Sequence, residues 1–157
     1  MLAWQILIDG FAIGSLYALG ATGFTLIFGV SGVLNLSHGA IMVAAAVAAW
    51  ALAGLAGAGP WAAALGGIAI GVALATLTYF VTVRPIQRSP RVAEAEKEIF
   101  ILTATLLWGI IISEAIAYLF TNNAKTVLPI VEGVVGWFGV RTPANEYFTA
   151  AVCWIAI

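Results

Sequence analysis

Charge is what this sequence has least of. No Asp, Glu, Lys or Arg occurs from Gly10 to Val83. Charged residues make up 8% of the 157-residue chain, against about 25% in ordinary soluble domains. A soluble domain covers its surface with polar groups, so this shortage excludes a soluble globular enzyme. A hydrophobic content of 63% excludes a disordered chain. Six Lys and Arg in total provide no patch large enough to hold nucleic acid electrostatically. Cys153 is the only cysteine, so an intrachain disulfide is impossible and no cysteine-based metal site is expected. No G-x-x-x-x-G-K-[ST] loop occurs, so any ATP chemistry belongs to another chain. The first charge is Asp9, which is negative. A cleavable signal peptide starts with basic residues, so the first apolar segment is expected to stay as a membrane helix.

What is present is apolar sequence in lengths that fit a bilayer. The uncharged stretch from Gly10 to Val83 would be about 110 Å long as helix, enough for three crossings. Two glycine-rich breaks interrupt it, at Gly29 to Gly39 and at Gly54 to Pro60. Pro60 suits the first turn of a helix, with Trp61 beside it at an interface. The pattern predicts an all-α polytopic membrane protein with a single transmembrane domain over 1–157. Its helices are expected near Trp4 to Val30, Leu36 to Ala58, Trp61 to Val83 and Ile99 to Phe120. Loops are expected at 84–98 and 121–145, with Asn122-Asn123 as the exit turn of the fourth helix. A loose strand-and-turn character marks Val131 to Val140. A fifth helix starts near Glu146. The apolar run from Tyr147 to Ile157 covers roughly 16 Å of a core of about 30 Å, and on this ground the sequence is expected to be truncated at its C-terminus.

The loops set the orientation. The segment 84–98 holds Arg84, Arg88, Arg91 and Lys97, whereas 121–145 holds only Lys125 and Arg141. By the positive-inside rule the first is expected to be cytoplasmic and the second extracytoplasmic. Gly10-x-x-x-Gly14 and Gly67-x-x-x-Gly71 have the small-residue spacing that lets membrane helices pack closely.

Chemistry has few places to sit. Ser31, Asn35, Ser37 and His38 lie together in an apolar stretch. Polar groups at membrane depth face protein or water and often line a pathway, and broken helices beside them expose backbone groups in transporters. Asn35, Ser37, His38 and Gly39 are therefore the candidates for a translocation pathway or for the helix break beside it. The same residue types also cap helices, so a purely local role stays open. Glu114 falls toward the outer end of the fourth helix, and Trp108 near its middle reads as a packing residue. No metal site is expected. Gly29-Val-Ser-Gly32 matches the G-x-S-G pattern of intramembrane serine hydrolases, with His38 as the one possible base. A helix between Ser31 and His38 would hold them about 10 Å apart along its axis, so only a sharp turn could bring them together as the dyad of an intramembrane serine hydrolase, the alternative of another class.

Three motifs carry a family resemblance. Gly14-Ser-Leu-Tyr-Ala-Leu19, Gly23-Phe-Thr-Leu-Ile-Phe-Gly-Val30 and Val33-Leu-Asn-Leu-Ser-His-Gly39 follow one another in order. Arg84-Pro85, Ser89-Pro90, Leu128-Pro129 and Gly139-Val-Arg-Thr-Pro143 add to them. The whole resembles the N-terminal half of the branched-chain amino acid ABC transporter permeases of the LivH type. Ala104-Thr-Leu-Leu107 departs from the family's A-T-I-G, and Glu114 stands where many members have a polar amide. The resemblance implies an ABC importer permease fold of about eight helices, about twice this length. It implies a second, LivM-like permease, two cytoplasmic ATPase subunits, an extracytoplasmic binding protein and an aliphatic amino-acid substrate. ATP would be used by the partner subunits, and the chain itself would catalyse no bond chemistry. A urea or short-chain amide importer of the same family is the alternative.

Overall fold

A computed structural model of the chain describes every residue except Met1, Asn122, Val127, Leu128, Phe138 and Gly139. Six helices and one hairpin occur among the described residues: α1 (Leu2–Ser31), α2 (His38–Gly54), α3 (Pro60–Thr78), α4 (Arg84–Gln87), α5 (Glu94–Phe120), β1 (Val134–Trp137), β2 (Val140–Pro143) and α6 (Ala144–Ala156). A π-helical turn, Tyr79–Val83, joins α3 to α4. The chain divides into two compact units, Met1–Leu26 with Pro129–Ile157, and Ile27–Leu128.

Three helical segments among the described residues are long and apolar enough to cross a membrane: Ala3–Ser31, Pro60–Gln87 and Glu94–Phe120. They are apolar on all sides, which is the pattern of a helix surrounded by lipid or protein. Ile99 is 67% exposed and Ile111 56% exposed, an arrangement that water would penalise heavily. The expected second crossing, Leu36 to Ala58, is shortened to the 17 residues of α2, about 25 Å of helix. Both ends have a local cause. Asn35 ties up the chain at the start, as described below. At the other end Gly57 takes φ +68°, and the Ala58 N–H reaches back to the Leu52 carbonyl at 2.9 Å, a C-terminal closure that glycine favours.

In the unit Ile27–Leu128, α2 and α3 pack through small residues. A Cβ placed on Gly67 would lie 2.7 Å from the Ala45 carbonyl oxygen and 2.8 Å from the Ala49 Cβ. One placed on Gly71 would lie 3.1 Å from the Ala45 Cβ. Helix α5 supplies the third wall with Ile101, Thr105, Gly109 and Ile112, all buried. Their spacing of three or four puts them on one helix face. Ile112 joins Ile41 and Ala44 in the core, with Leu74, Trp108 and Ile116 packed around it. The Trp108 indole N–H donates to the buried Thr78 hydroxyl at 2.9 Å, so Trp108 is a packing residue with its one polar atom satisfied. Glu114 is exposed on α5.

The turn Tyr79–Val83 precedes Pro85. Proline lacks an N–H and crowds the carbonyl four residues back, and the widened turn, in which the Arg84 N–H bonds the Tyr79 carbonyl, relieves that crowding. The polar segment is less of a loop than its charge implies. Helix continues to Gln87 and resumes at Glu94, five residues before the expected Ile99. Glu94 and Glu96 lie in the first turn of α5, where carboxylates favour the helix dipole. Lys97 fastens the connection by pairing with Glu94 and donating to the Gln87 carbonyl at 2.9 Å.

In the other unit, β1 and β2 form an antiparallel hairpin with Val135 opposite Thr142 and Gly136 opposite Arg141, in the region of strand-and-turn character. Helix α6 packs on the first part of α1. The Phe11 and Trp154 rings stack at 6.3 Å, and the Trp154 indole N–H donates to the buried Ser15 hydroxyl at 3.2 Å. The expected Asn122-Asn123 exit turn, Leu128 of Leu128-Pro129 and Gly139 of the Gly139 to Pro143 motif fall wholly or partly outside the described residues.

Candidate functional site

The candidate site is the break between α1 and α2. Helix α1 ends at Ser31, whose hydroxyl donates to the Ile27 carbonyl at 2.6 Å and accepts the Val33 N–H at 3.2 Å. Gly32 follows at φ +66°, a left-handed conformation that glycine adopts without strain. Ser31 thus serves the main chain as a helix end, and its proton goes to a carbonyl.

Asn35 makes the next turn. Its Oδ1 accepts the Ser37 N–H at 3.0 Å and the Ser37 hydroxyl at 2.6 Å. This side-chain-to-backbone turn is one that asparagine makes readily, and it starts α2 at His38. Ser37 is fully buried, so its hydroxyl depends on Asn35 for a partner.

The turn is seated on α5. The Leu36 N–H donates to the Thr105 hydroxyl at 3.1 Å, and that hydroxyl donates to the Leu102 carbonyl at 3.1 Å. A Cβ on Gly109 would come within 3.2 Å of the Ser37 Cα and 3.6 Å of the Leu36 carbonyl oxygen. Thr105 and Gly109 are four residues apart, so one face of α5 offers both a hydroxyl and a hollow. These two residues are the part of the site that sequence reasoning misses. The only signal for them is a polar and a small residue, one turn apart, in an otherwise bulky apolar helix.

Beside the seated turn lies a cavity of about 290 Å³. Asn35 and His38 border it at the break, and Ile41, Met42, Ile68 and Val72 form apolar walls. Gly71 and Ala45 also line it, and neither carries a side chain large enough to fill it. His38 is partly buried as the first residue of α2. Gly39 is exposed, with open space where a Cβ would stand. The structure therefore brings Asn35 and His38 to one cavity, buries Ser37 against α5 and leaves Gly39 at the surface.

Among the packing glycines, Gly67 and Gly71 meet α2 closely. Within their own unit Gly10 and Gly14 show no such close approach: no described atom lies within 4 Å of a Cβ built at either. Among the described residues no group of three or more His, Cys, Asp or Glu is placed to hold a metal ion.

Thr105→Val keeps the shape of the side chain and removes the hydroxyl that the Leu36 N–H requires. The expected cost is about 1–3 kcal/mol, the price of a buried donor without an acceptor. Thermal unfolding in detergent micelles measures it. Thr103 bonds only its own helix, to the Ile99 carbonyl, so Thr103→Val is expected to change stability by less than about 0.5 kcal/mol.

Over residues 6–156 the sequence matches the profile of the family described as "Branched-chain amino acid transport system / permease component". No curated protein and no solved structure matches it.

Proposed function

Because the chain belongs to the branched-chain amino acid transport permease family, we propose that it is a membrane-spanning subunit of an ABC importer for branched-chain or related aliphatic amino acids. It would work in a bacterial inner membrane beside a second, LivM-like permease. Two cytoplasmic ATPase subunits would bind and hydrolyse ATP, and an extracytoplasmic binding protein would deliver substrate at the outer face. In this reading α2 is a fourth crossing, and its 17 residues are completed by the polar turn before it. The segment 84–98 faces the cytoplasm, and 121–145 faces outward.

The observation that carries the reading is the broken helix at 32–37, seated on α5 beside a cavity lined by the polar Asn35 and His38 and otherwise by apolar residues. Such a cavity suits a small ligand with one polar and one aliphatic end. Unwound backbone beside a membrane cavity is a recurrent feature of transporter binding sites. Alternating access requires an element with two arrangements, and a turn held to α5 by one hydroxyl and one hollow is separable without unfolding either helix. The transporting step needs no covalent chemistry from this chain. Asn35 and His38 would orient the polar end of the substrate, and Ile41, Met42, Ile68 and Val72 would receive the aliphatic end.

The test is Asn35→Leu in the assembled importer. Uptake of radiolabelled leucine is expected to be abolished while the subunits still copurify. Normal uptake by that variant would overturn the assignment. Substrate class is read separately, from stimulation of ATP hydrolysis by the binding protein loaded with leucine or valine, compared with urea or acetamide.

A further inference from the structure

The arginines of α4 and the turn after it are not accounted for by folding or by transport. Among the described residues the one ion pair joins Lys97 to Glu94. Arg84, Arg88 and Arg91 have no carboxylate within 4.0 Å, although Glu94, Glu96 and Glu98 follow within a few positions. Arg84 is placed with care all the same. Its guanidinium lies over the Phe80 ring, 5.1 Å from the centroid. Arg88 is one helical turn further on, and its N–H bonds the Arg84 carbonyl at 3.1 Å, so the two arginines share a face.

The surroundings identify what this face meets. Leu77, Tyr79, Phe80 and Val81 are all about half exposed just before Arg84. That apolar collar needs hydrocarbon around it, and the guanidiniums begin where it stops. A soluble acidic protein could neutralise the arginines and would leave the collar uncovered. A phospholipid covers both: its acyl chains lie along the collar and its phosphate reaches the arginines. Guanidinium binds phosphate through two parallel hydrogen bonds.

We propose that Arg84, lying over the Phe80 ring, and Arg88 form a binding site for the phosphate of an anionic phospholipid in the leaflet that contains α4. Arg91, in the following turn, adds to its field. The site rests on the membrane placement of α3 and is independent of the transported substrate. Stimulation of ATP hydrolysis by substrate tests the second and leaves the first untouched.

The experiment titrates the full protein in neutral detergent with phosphatidylglycerol, phosphatidylcholine or inorganic phosphate, and counts bound lipid by native mass spectrometry. Each basic residue near an anionic surface contributes about fivefold in affinity. Arg84→Gln with Arg88→Gln is therefore expected to weaken phosphatidylglycerol binding by about 25-fold and phosphatidylcholine binding, whose phosphate is offset by choline, by several-fold less. Arg84→Lys with Arg88→Lys should fall between, because lysine keeps the charge and loses the two-point geometry. Inorganic phosphate should not compete. Unchanged phosphatidylglycerol binding in the glutamine variant would overturn the proposal, as would equal competition by inorganic phosphate. Release of the lipid when the ATPase subunits are added, with the arginines then protected by those subunits, would overturn it in favour of a protein contact. If the double variant does not fold, the exposed Arg88→Gln alone decides, with about fivefold weakening expected.

Discussion

Gly67→Leu is expected to cost about 3 kcal/mol, at the upper end of what overpacking a buried contact does. The atoms in the way set the size. The new Cβ would lie 2.7 Å from a backbone oxygen, that of Ala45, and 2.8 Å from the Ala49 Cβ. Neither can rotate aside, so the helices must separate. Separation also loosens the close approach at Gly71 and widens the cavity next to it. The contrast is Gly14→Leu. It has the same residue type and the same glycine spacing, yet no described atom lies within 4 Å of its Cβ position, and it should cause no loss, since leucine's helix propensity favours it over glycine by up to about 1 kcal/mol. Thermal unfolding of both variants in one detergent checks the pair. Equal losses would show that the α2–α3 contact does not set the cost at Gly67.

That contrast also marks how far sequence reasoning reaches. Two G-x-x-x-G pairs have identical spacing, and spacing is a property of one helix, whereas packing needs a partner. Gly67 and Gly71 face Ala45 and Ala49 of the neighbouring helix, joined by a short link, and such local pairing is readable. Gly10 and Gly14 would need a surface from elsewhere. The break at Gly29 to Gly39 was readable for a similar reason: left-handed glycine and the asparagine turn are local chemistry, and Asn35 satisfies Ser37 only two residues away. The seat of that turn was not. Thr105 lies 69 residues from Leu36, and no periodicity in α5 announces that its hydroxyl accepts from another segment. The start of α5 is hidden in the sequence because three glutamates and a lysine look like a loop in a membrane protein. At a helix N-terminus the same glutamates stabilise the first turn, and Lys97 is occupied by Glu94 and Gln87.

The second large effect is expected at Gly109, and it has a signature that simple destabilisation lacks. Gly109→Leu puts a side chain where the Ser37 Cα approaches to 3.2 Å and the Leu36 carbonyl to 3.6 Å. The turn must lift from α5, at a cost of about 3 kcal/mol. Lifting also breaks the Leu36–Thr105 hydrogen bond and gives the freed N–H access to other partners. Thr105→Val costs about 1–3 kcal/mol in the native background, but in the Gly109→Leu background it should cost almost nothing. The double-mutant cycle then shows a coupling of about 1–3 kcal/mol, far outside the roughly 0.5 kcal/mol scatter of independent sites. Additive losses would mean that the turn stays seated and that the leucine is accommodated elsewhere. The same variants read the turn's role in transport. If the 32–37 break works by leaving and regaining this seat, Gly109→Leu should hold it in the unseated arrangement. If the chain is the importer subunit proposed, leucine uptake by the full complex should then fall at least tenfold while a loaded binding protein still docks. Gly109→Ala should fall in between, since a methyl group meets the Ser37 Cα at a distance that a shift of a few tenths of an ångström relieves.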